Sequence, residues 1–237
     1  MGLDVMTGAI AIMASGDDEG VSAFKGLFLS LNELLAEVGQ SPHDEPEHLA
    51  TAHTFEAQMW GYSGLHHLRR AAAHLALEGR LPASDQVDAL QDPVLKRFYA
   101  DHSKYLDRPR PGLLSFLRKS PQKPEFEHLI LHSDAEGVYL PRELSEVIFD
   151  PAQPQREGLG CMVGSSLALL SECRRISTAL GLPSDLDPES DEVYDNAESL
   201  PLDGEAWQRL GITTFVLIRL LRACELSKHT GAAVVFT

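Results

Sequence analysis

The sequence predicts an α/β or α+β fold, helix-rich, around a small central sheet. Three observations lead there. Short apolar runs of strand character lie near both ends, Leu3 to Met13 and Ala232 to Phe236, and in the middle. Between them, apolar residues recur every three or four positions over long stretches, the helical period. The 237 residues are 43% hydrophobic and 23% charged, a globular balance that excludes long disorder and fibrous classes. That length suits a single domain over 1–237, and any subdomain boundary falls within 107–124, where Pro109, Pro111, Pro121 and Pro124 cluster.

Taken in order, Leu3 to Met13 reads as a strand followed by the turn Ser15-Gly16-Asp17-Asp18-Glu19-Gly20. Phe24, Leu27, Phe28, Leu31, Leu34 and Leu35 place an amphipathic helix over Val21–Val38, ending near Gly39. Ser41 to Pro46 is a loop. Helices are expected at Glu47–Met59 and Ser63–Glu78, with Ser63 as N-cap of the second. Asp92–Leu106 reads as another helix, and Leu113–Arg118 as a short helical turn. Phe126–His132 and Gly137–Pro141 read as two strands of a hairpin near 126–141, joined by Ser133-Asp134-Ala135-Glu136. Met162–Leu180 is a helix ended by Gly181 and Pro183, with Ser165 as a plausible cap. Glu205–Lys228 is a long helix, apolar on most faces, which belongs in the middle of a fold or under a partner. Arg209, Arg219 and Arg222 exclude it as a bilayer span.

The net charge is −15, from 20 basic and 35 acidic residues. That balance argues against wholesale binding of nucleic acid or an anionic membrane. Three scattered cysteines fit a reducing compartment rather than a disulfide framework. Met1-Gly2-Leu3-Asp4-Val5 lacks the basic start of a signal peptide, so the expected location is cytoplasmic. No cofactor motif and no metal site is complete. Charge is also uneven: the segment 61–124 is net basic inside an acidic chain. The most acidic run, Pro183 to Glu198, holds seven carboxylates and no base. Its two prolines and polar bias predict a loop. Asp185, Asp187, Glu189, Asp191 and Glu192 are the candidate partner-binding residues. A calcium loop is excluded, because Ser190 stands where glycine is required and Asn196 where a bidentate carboxylate is required.

Two polar clusters lie at element ends, where sites form. The first is His132, Asp134 and Glu136. With His128 on a strand they would share a face, but residues four apart on a strand are roughly 13 Å apart, too far to hold one metal together. The second is Trp60-Gly61-Tyr62-Ser63-Gly64-Leu65-His66-His67-Leu68-Arg69-Arg70. Its free N–H groups would favour an anion, with Tyr62, Ser63, His66 and Arg69 as candidate binding residues. Each cluster reads equally as structure: a polar turn tip and a capped helix start.

Several segments look familiar together: Met1-Gly2-Leu3-Asp4-Val5, Gly61 to Arg70, His132 to Pro141, and Gly164 to Glu172. They resemble a group of bacterial cytoplasmic proteins, some similar to immunity proteins of polymorphic-toxin systems. The resemblance implies a binding protein and no catalytic residue. With the acidity, it leads to the expectation of an immunity or antitoxin protein that neutralises a basic toxin. The alternatives are a small metal-assisted hydrolase built on His132, Asp134 and Glu136, and a regulatory homodimer using the apolar final helix.

Overall fold

In the computed structural model, residues 3–106, 123–150, 156 and 159–237 are described. They contain one six-stranded mixed sheet: β1 (Asp4–Thr7), β2 (Phe55–Gln58), β3 (Gly137–Leu140), β4 (Ile148–Phe149), β5 (Met162–Ser165) and β6 (Val234–Phe236). The order is β2-β1-β6-β3-β5-β4. The last strand, β6, sits between β1 and β3, antiparallel to both, while β3 and β5 run parallel. The helices are α1 (Ala9–Met13), α2 (Asp18–Glu37), α3 (Gly61–Glu78), α4 (Pro93–Leu106), α5 (Glu127–Ile130), α6 (Ser166–Leu180), α7 (Asp191–Ser199), α8 (Ala206–Arg209) and α9 (Gly211–Thr230). The fold is α+β and helix-rich, as the sequence predicts.

Alternation along the strands decides which helices lie where. Val5, Tyr139, Val234 and Phe236 point into one core, shared with residues of α3, α4, α5, α6, α7, α8 and α9. Met6, Val138, Leu140, Val163 and Val235 point into the other, closed by α1 and α2. Helix α9 lies in the larger core. Seven of its large apolar side chains, Ile212, Phe215, Val216, Leu217, Ile218, Leu220 and Leu226, are buried within the chain. At about 1.5–3 kcal/mol each, burial of these residues is worth at most roughly 10–20 kcal/mol. That apolar surface is already covered by the chain itself, which removes the reason to expect a homodimer through it. Among the described residues, no helix is long and apolar enough to cross a membrane.

Several local expectations are corrected, the first two by contacts distant in sequence. Glu47–Met59 is not a helix: Phe55–Gln58 pairs with β1 and becomes an edge strand. Phe126–His132 is not a strand, so the hairpin is absent. Residues 127–130 form α5, whose first N–H groups, those of His128 and Leu129, donate to the Glu172 carboxylate at 3.1 and 2.8 Å. Strand β3 pairs with β5 and β6 instead. Ser63 is not the N-cap of α3: Trp60 holds that position with φ 58°, and the Ser63 hydroxyl donates back to the Trp60 carbonyl at 3.3 Å. Met162–Leu180 divides into β5 and α6, and Ser165 caps α6, its Oγ accepting from the Ala168 N–H at 3.1 Å. Glu205–Lys228 breaks at Leu210 into α8 and α9. The acidic run is a loop only up to Ser190, and then winds into α7. The expected helical turn at Leu113–Arg118, and 107–122 of the proposed boundary, lie outside the described residues.

Candidate functional site

Helix α7 carries its charge on one side. At 100° per residue, Asp191, Asp195 and Glu198 fall within about 60° of arc, with Glu192 at its flank. All four are exposed, while Val193 and Ala197, on the opposite side, are buried. Over a rise of about 10 Å the helix thus presents four carboxylates, roughly one per 2.6 Å. A DNA strand carries one phosphate per 3.4 Å of axis and the duplex one per about 1.7 Å. The two charge densities are comparable. Exposed Asp185 and Asp187 precede the helix, and exposed Asp203 and Glu205 follow it. Among the described residues, none of these eight carboxylates takes part in an ion pair.

Ordinary helix physics accounts for part of this ridge. Asp191 and Glu192 stand in the first turn, where the helix dipole favours anions. Asp17, Asp18 and Glu19 at the start of α2 have the same cause, and the Asp17 side chain caps that helix through the Gly20 N–H at 2.8 Å. Asp195 and Glu198 have no such cause. They stand in the middle and last turn of α7, where no base balances the helix's negative end. They also repel each other, and Asp191 repels Asp195, at about 0.2–0.5 kcal/mol per pair.

The ridge is held rigidly from below. Glu189, although part of the acidic run, serves as an anchor: it accepts from Arg219 Nη2 and from the Tyr194 hydroxyl, both at 2.8 Å. Arg219 is 1% exposed, lies over the Phe215 ring at 3.4 Å, and donates to the Tyr194 oxygen at 3.0 Å and the Phe215 carbonyl at 3.1 Å. Nor could the turn of α9 beneath α7 carry a larger side chain. A Cβ at Gly211 would stand 2.1 Å from the Asn196 carbonyl oxygen.

A buried polar network fixes the start of α9 to α3 and α4. The fully buried Asp85 carboxylate accepts from the Thr213 N–H at 2.7 Å and the Thr213 hydroxyl at 3.0 Å, and pairs with His67 at 3.2 Å. Arg70 lies between it and Asp92, donating to the Asp92 carboxylate at 2.6 Å. Burial pushes the Asp92 pKa upward, but Arg70, His74 and the N–H groups of Val94 and Leu95 outweigh it and hold the group at about 2.

The structure brings the two predicted polar clusters together. Arg69, 1% exposed, donates from Nε to the Leu129 carbonyl at 2.8 Å, from Nη2 to the His132 carbonyl at 2.6 Å, and from Nη1 to Asp134. His66 faces the other oxygen of Asp134 at 3.5 Å. These contacts tie the 129–134 segment to α3 and leave Arg69 no donor geometry aimed at solvent. His132 stacks on Tyr139, with ring centroids 3.8 Å apart, and its Nε2 contacts the Val138 carbonyl at 3.2 Å. Burial lowers its pKa to about 3, so it is neutral and internal. A hydrolase centre would need this imidazole exposed to substrate. Among the described residues, no group of three or more His, Cys, Asp or Glu is arranged to hold a metal. Tyr62, Ser63 and Glu136 are exposed. Two residues that the sequence alone did not single out now matter, Asp195 and Glu198, whose sign was the acidic run itself; Arg219, read from the sequence only as excluding a bilayer span, now matters as the anchor of Glu189.

A family model described as "Putative DNA-mimic protein" matches residues 1–236. No curated protein and no solved structure matches the chain. The family match overturns the expectation of an immunity protein with a basic toxin as its partner, and it supports neither the hydrolase nor the homodimer. What survives of that expectation is an acidic protein of a protein-binding type.

Proposed function

Because the chain belongs to the family of putative DNA-mimic proteins, we propose that it binds the DNA-contacting surface of a DNA-binding protein and keeps DNA off it. The observation that carries this reading is the α7 ridge: outward carboxylates at phosphate-like density, unneutralised, on a helix whose other side is anchored. A surface built to hold phosphates offers Arg, Lys and backbone N–H groups at matching spacing, and a carboxylate row satisfies the same donors. Asp185, Asp187, Asp191, Glu192, Asp195 and Glu198 are the contact residues in this reading, and Glu189 positions them. Tyr62, Ser63 and Glu136, which are exposed, remain candidate contacts. The reading treats 1–237 as one unit and places it in the cytoplasm, with its partner.

The test uses proteins from the source cells that elute from immobilised DNA. These are passed over the immobilised protein and over a variant with Asp191→Asn, Glu192→Gln, Asp195→Asn and Glu198→Gln. The expected result is retention by the parent, release by added duplex DNA, and loss of retention on the variant. Retention that duplex DNA does not compete, or equal retention on the variant, would overturn the reading.

A further inference from the structure

Two histidines distant in sequence meet at the surface, away from the polar clusters described above. His53 ends the 3₁₀ turn Thr51–His53 that leads into β2, and His229 lies in the last turn of α9. Both are exposed, and their ring centroids are 5.4 Å apart with an interplanar angle of 66°. Among the described residues, neither imidazole takes part in a hydrogen bond or an ion pair, so all four ring nitrogens are unused.

The backbones that carry the two rings are fixed. The His53 N–H donates to the Ala50 carbonyl at 2.7 Å, and the Thr54 hydroxyl donates to the Thr51 carbonyl at 3.0 Å. Two residues beyond His53, Phe55 pairs with Thr7, whose hydroxyl donates to the Ala223 carbonyl of α9 at 3.1 Å. At the other side the Ser227 hydroxyl donates to the Ala232 carbonyl at 2.6 Å and closes the end of α9. The rings themselves can turn. The Cβ–Cγ axis runs close to the centre of an imidazole, so rotation about χ2 redirects the nitrogens and leaves the centroid in place.

An imidazole nitrogen binds a divalent ion such as zinc at about 2.0–2.1 Å, which puts the ion roughly 3.2 Å from the ring centre. Two rings on one tetrahedral ion therefore have centres about 5.2 Å apart, and a spacing of 5.4 Å corresponds to an angle of about 115° at the ion. From this geometry we infer that His53 and His229 chelate one divalent transition-metal ion of the zinc, nickel or copper type. Water fills the remaining positions, since a pair supplies fewer ligands than a closed structural site.

An edge-to-face ring contact alone would allow the same spacing. Two features favour the ion. Unused nitrogens on both rings are what a metal consumes and a ring contact does not. The pair also sits at the negative end of α9, in a chain of net charge −15, where a cation is favoured. Lys228, next to His229, lines a separate cleft with Arg174 and Thr178. The clamp joins the segment before β2 to the end of α9, so a bound ion stabilises the fold by mass action. It uses no residue of the α7 ridge and is independent of the proposed function.

The experiment titrates the full chain with zinc chloride at pH 7 by calorimetry and follows Tm and the histidine ring signals in NMR. The expected result is one ion per chain, a Tm that rises with zinc, and ring signals of His53 and His229 that shift together. His53→Ala and His229→Ala should each weaken binding at least about tenfold. The double variant should bind no more weakly than either single one, because a chelate is lost with its first ligand. His48→Ala, which removes an exposed histidine of the same segment, should bind like the parent. No binding by the parent at millimolar zinc, single variants that bind like the parent, or losses that add in the double variant would each overturn the inference.

Discussion

If the α7 ridge is shaped by binding rather than by folding, removing its charge should stabilise the protein. Glu198→Lys is the sharpest case. Glu198 is exposed in the last turn of α7 and lies three residues after Asp195. The substitution removes a like-charge pair and creates an opposite-charge one, each worth about 0.2–0.5 kcal/mol. It also places a cation at the helix's negative end, worth about 0.3–1 kcal/mol at low salt. Allowing for exposure, the expected gain is about 0.5–1.5 kcal/mol, or roughly 1–5 °C in Tm for a chain of this size. Urea unfolding at low ionic strength measures it without adding salt. Repeating the series at 1 M NaCl, where the Debye length is about 3 Å, should remove most of the gain. Asp191→Lys provides the internal control. It relieves the repulsion with Asp195 but loses a favourable first-turn anion, so its net effect should be near zero. The same Glu198→Lys chain should retain less of any duplex-competed partner. Reduced stability in Glu198→Lys, or a gain undiminished by salt, would refute the reasoning that the ridge is a folding cost kept for function.

Three further outcomes follow from the buried ionisable groups. Asp92, held at about 2, contributes stability that is complete above its unfolded value near 4 and is lost as pH falls toward 2. Asp92→Ala should cost about 3 kcal/mol at pH 7 and flatten the acid limb between pH 4 and 2 in denaturant titrations. His132 is lowered to about 3 by burial, so its contribution is complete above pH 6.5 and is lost as pH falls toward 3. Its ring signals in NMR should not move between pH 8 and 5; a midpoint near 6 would mean that it is exposed after all. Glu172 has the opposite sign. Burial raises it to about 7 despite the His128 and Leu129 N–H groups, so the fold loses stability as pH rises from about 4.5 through 7. Glu172→Gln should remove that slope between pH 5 and 8, and an unchanged slope would assign it to another group.

Much of the fold could be read locally. The phenylalanine and leucine spacing of α2, the helical stretch of α4, the Gly181 stop after α6 and the apolar β6 all appear where their side-chain patterns place them. The segments that went astray are those whose conformation is set elsewhere in the chain. The strand β2 exists because β1 offers it a partner, and α5 exists because Glu172, more than forty residues later, satisfies its first N–H groups. The break at Leu210 accompanies a second cap of this kind, Asp85 on Thr213, supplied from 128 residues away. The candidate site divides in the same way. The acidic run was plain, but its helical half was not, because Val193 and Ala197 supply only two buried positions and α9 provides the surface that makes a helix worthwhile.

By itself, then, the sequence determined an acidic, helix-rich chain with strands at both ends, and it located the negative charge between Pro183 and Glu198. Composition and short-range periodicity are sums over neighbours, and those quantities depend on little else. Tertiary structure alone decided that Asp195 and Glu198 stand in a row facing outward, and that Glu189 is spent on Arg219. It also decided that His132, Asp134 and Arg69 form a strut instead of a reactive centre. Each of those outcomes depends on which groups meet across the core, where burial and pairing fix both a side chain's charge state and its access to a partner.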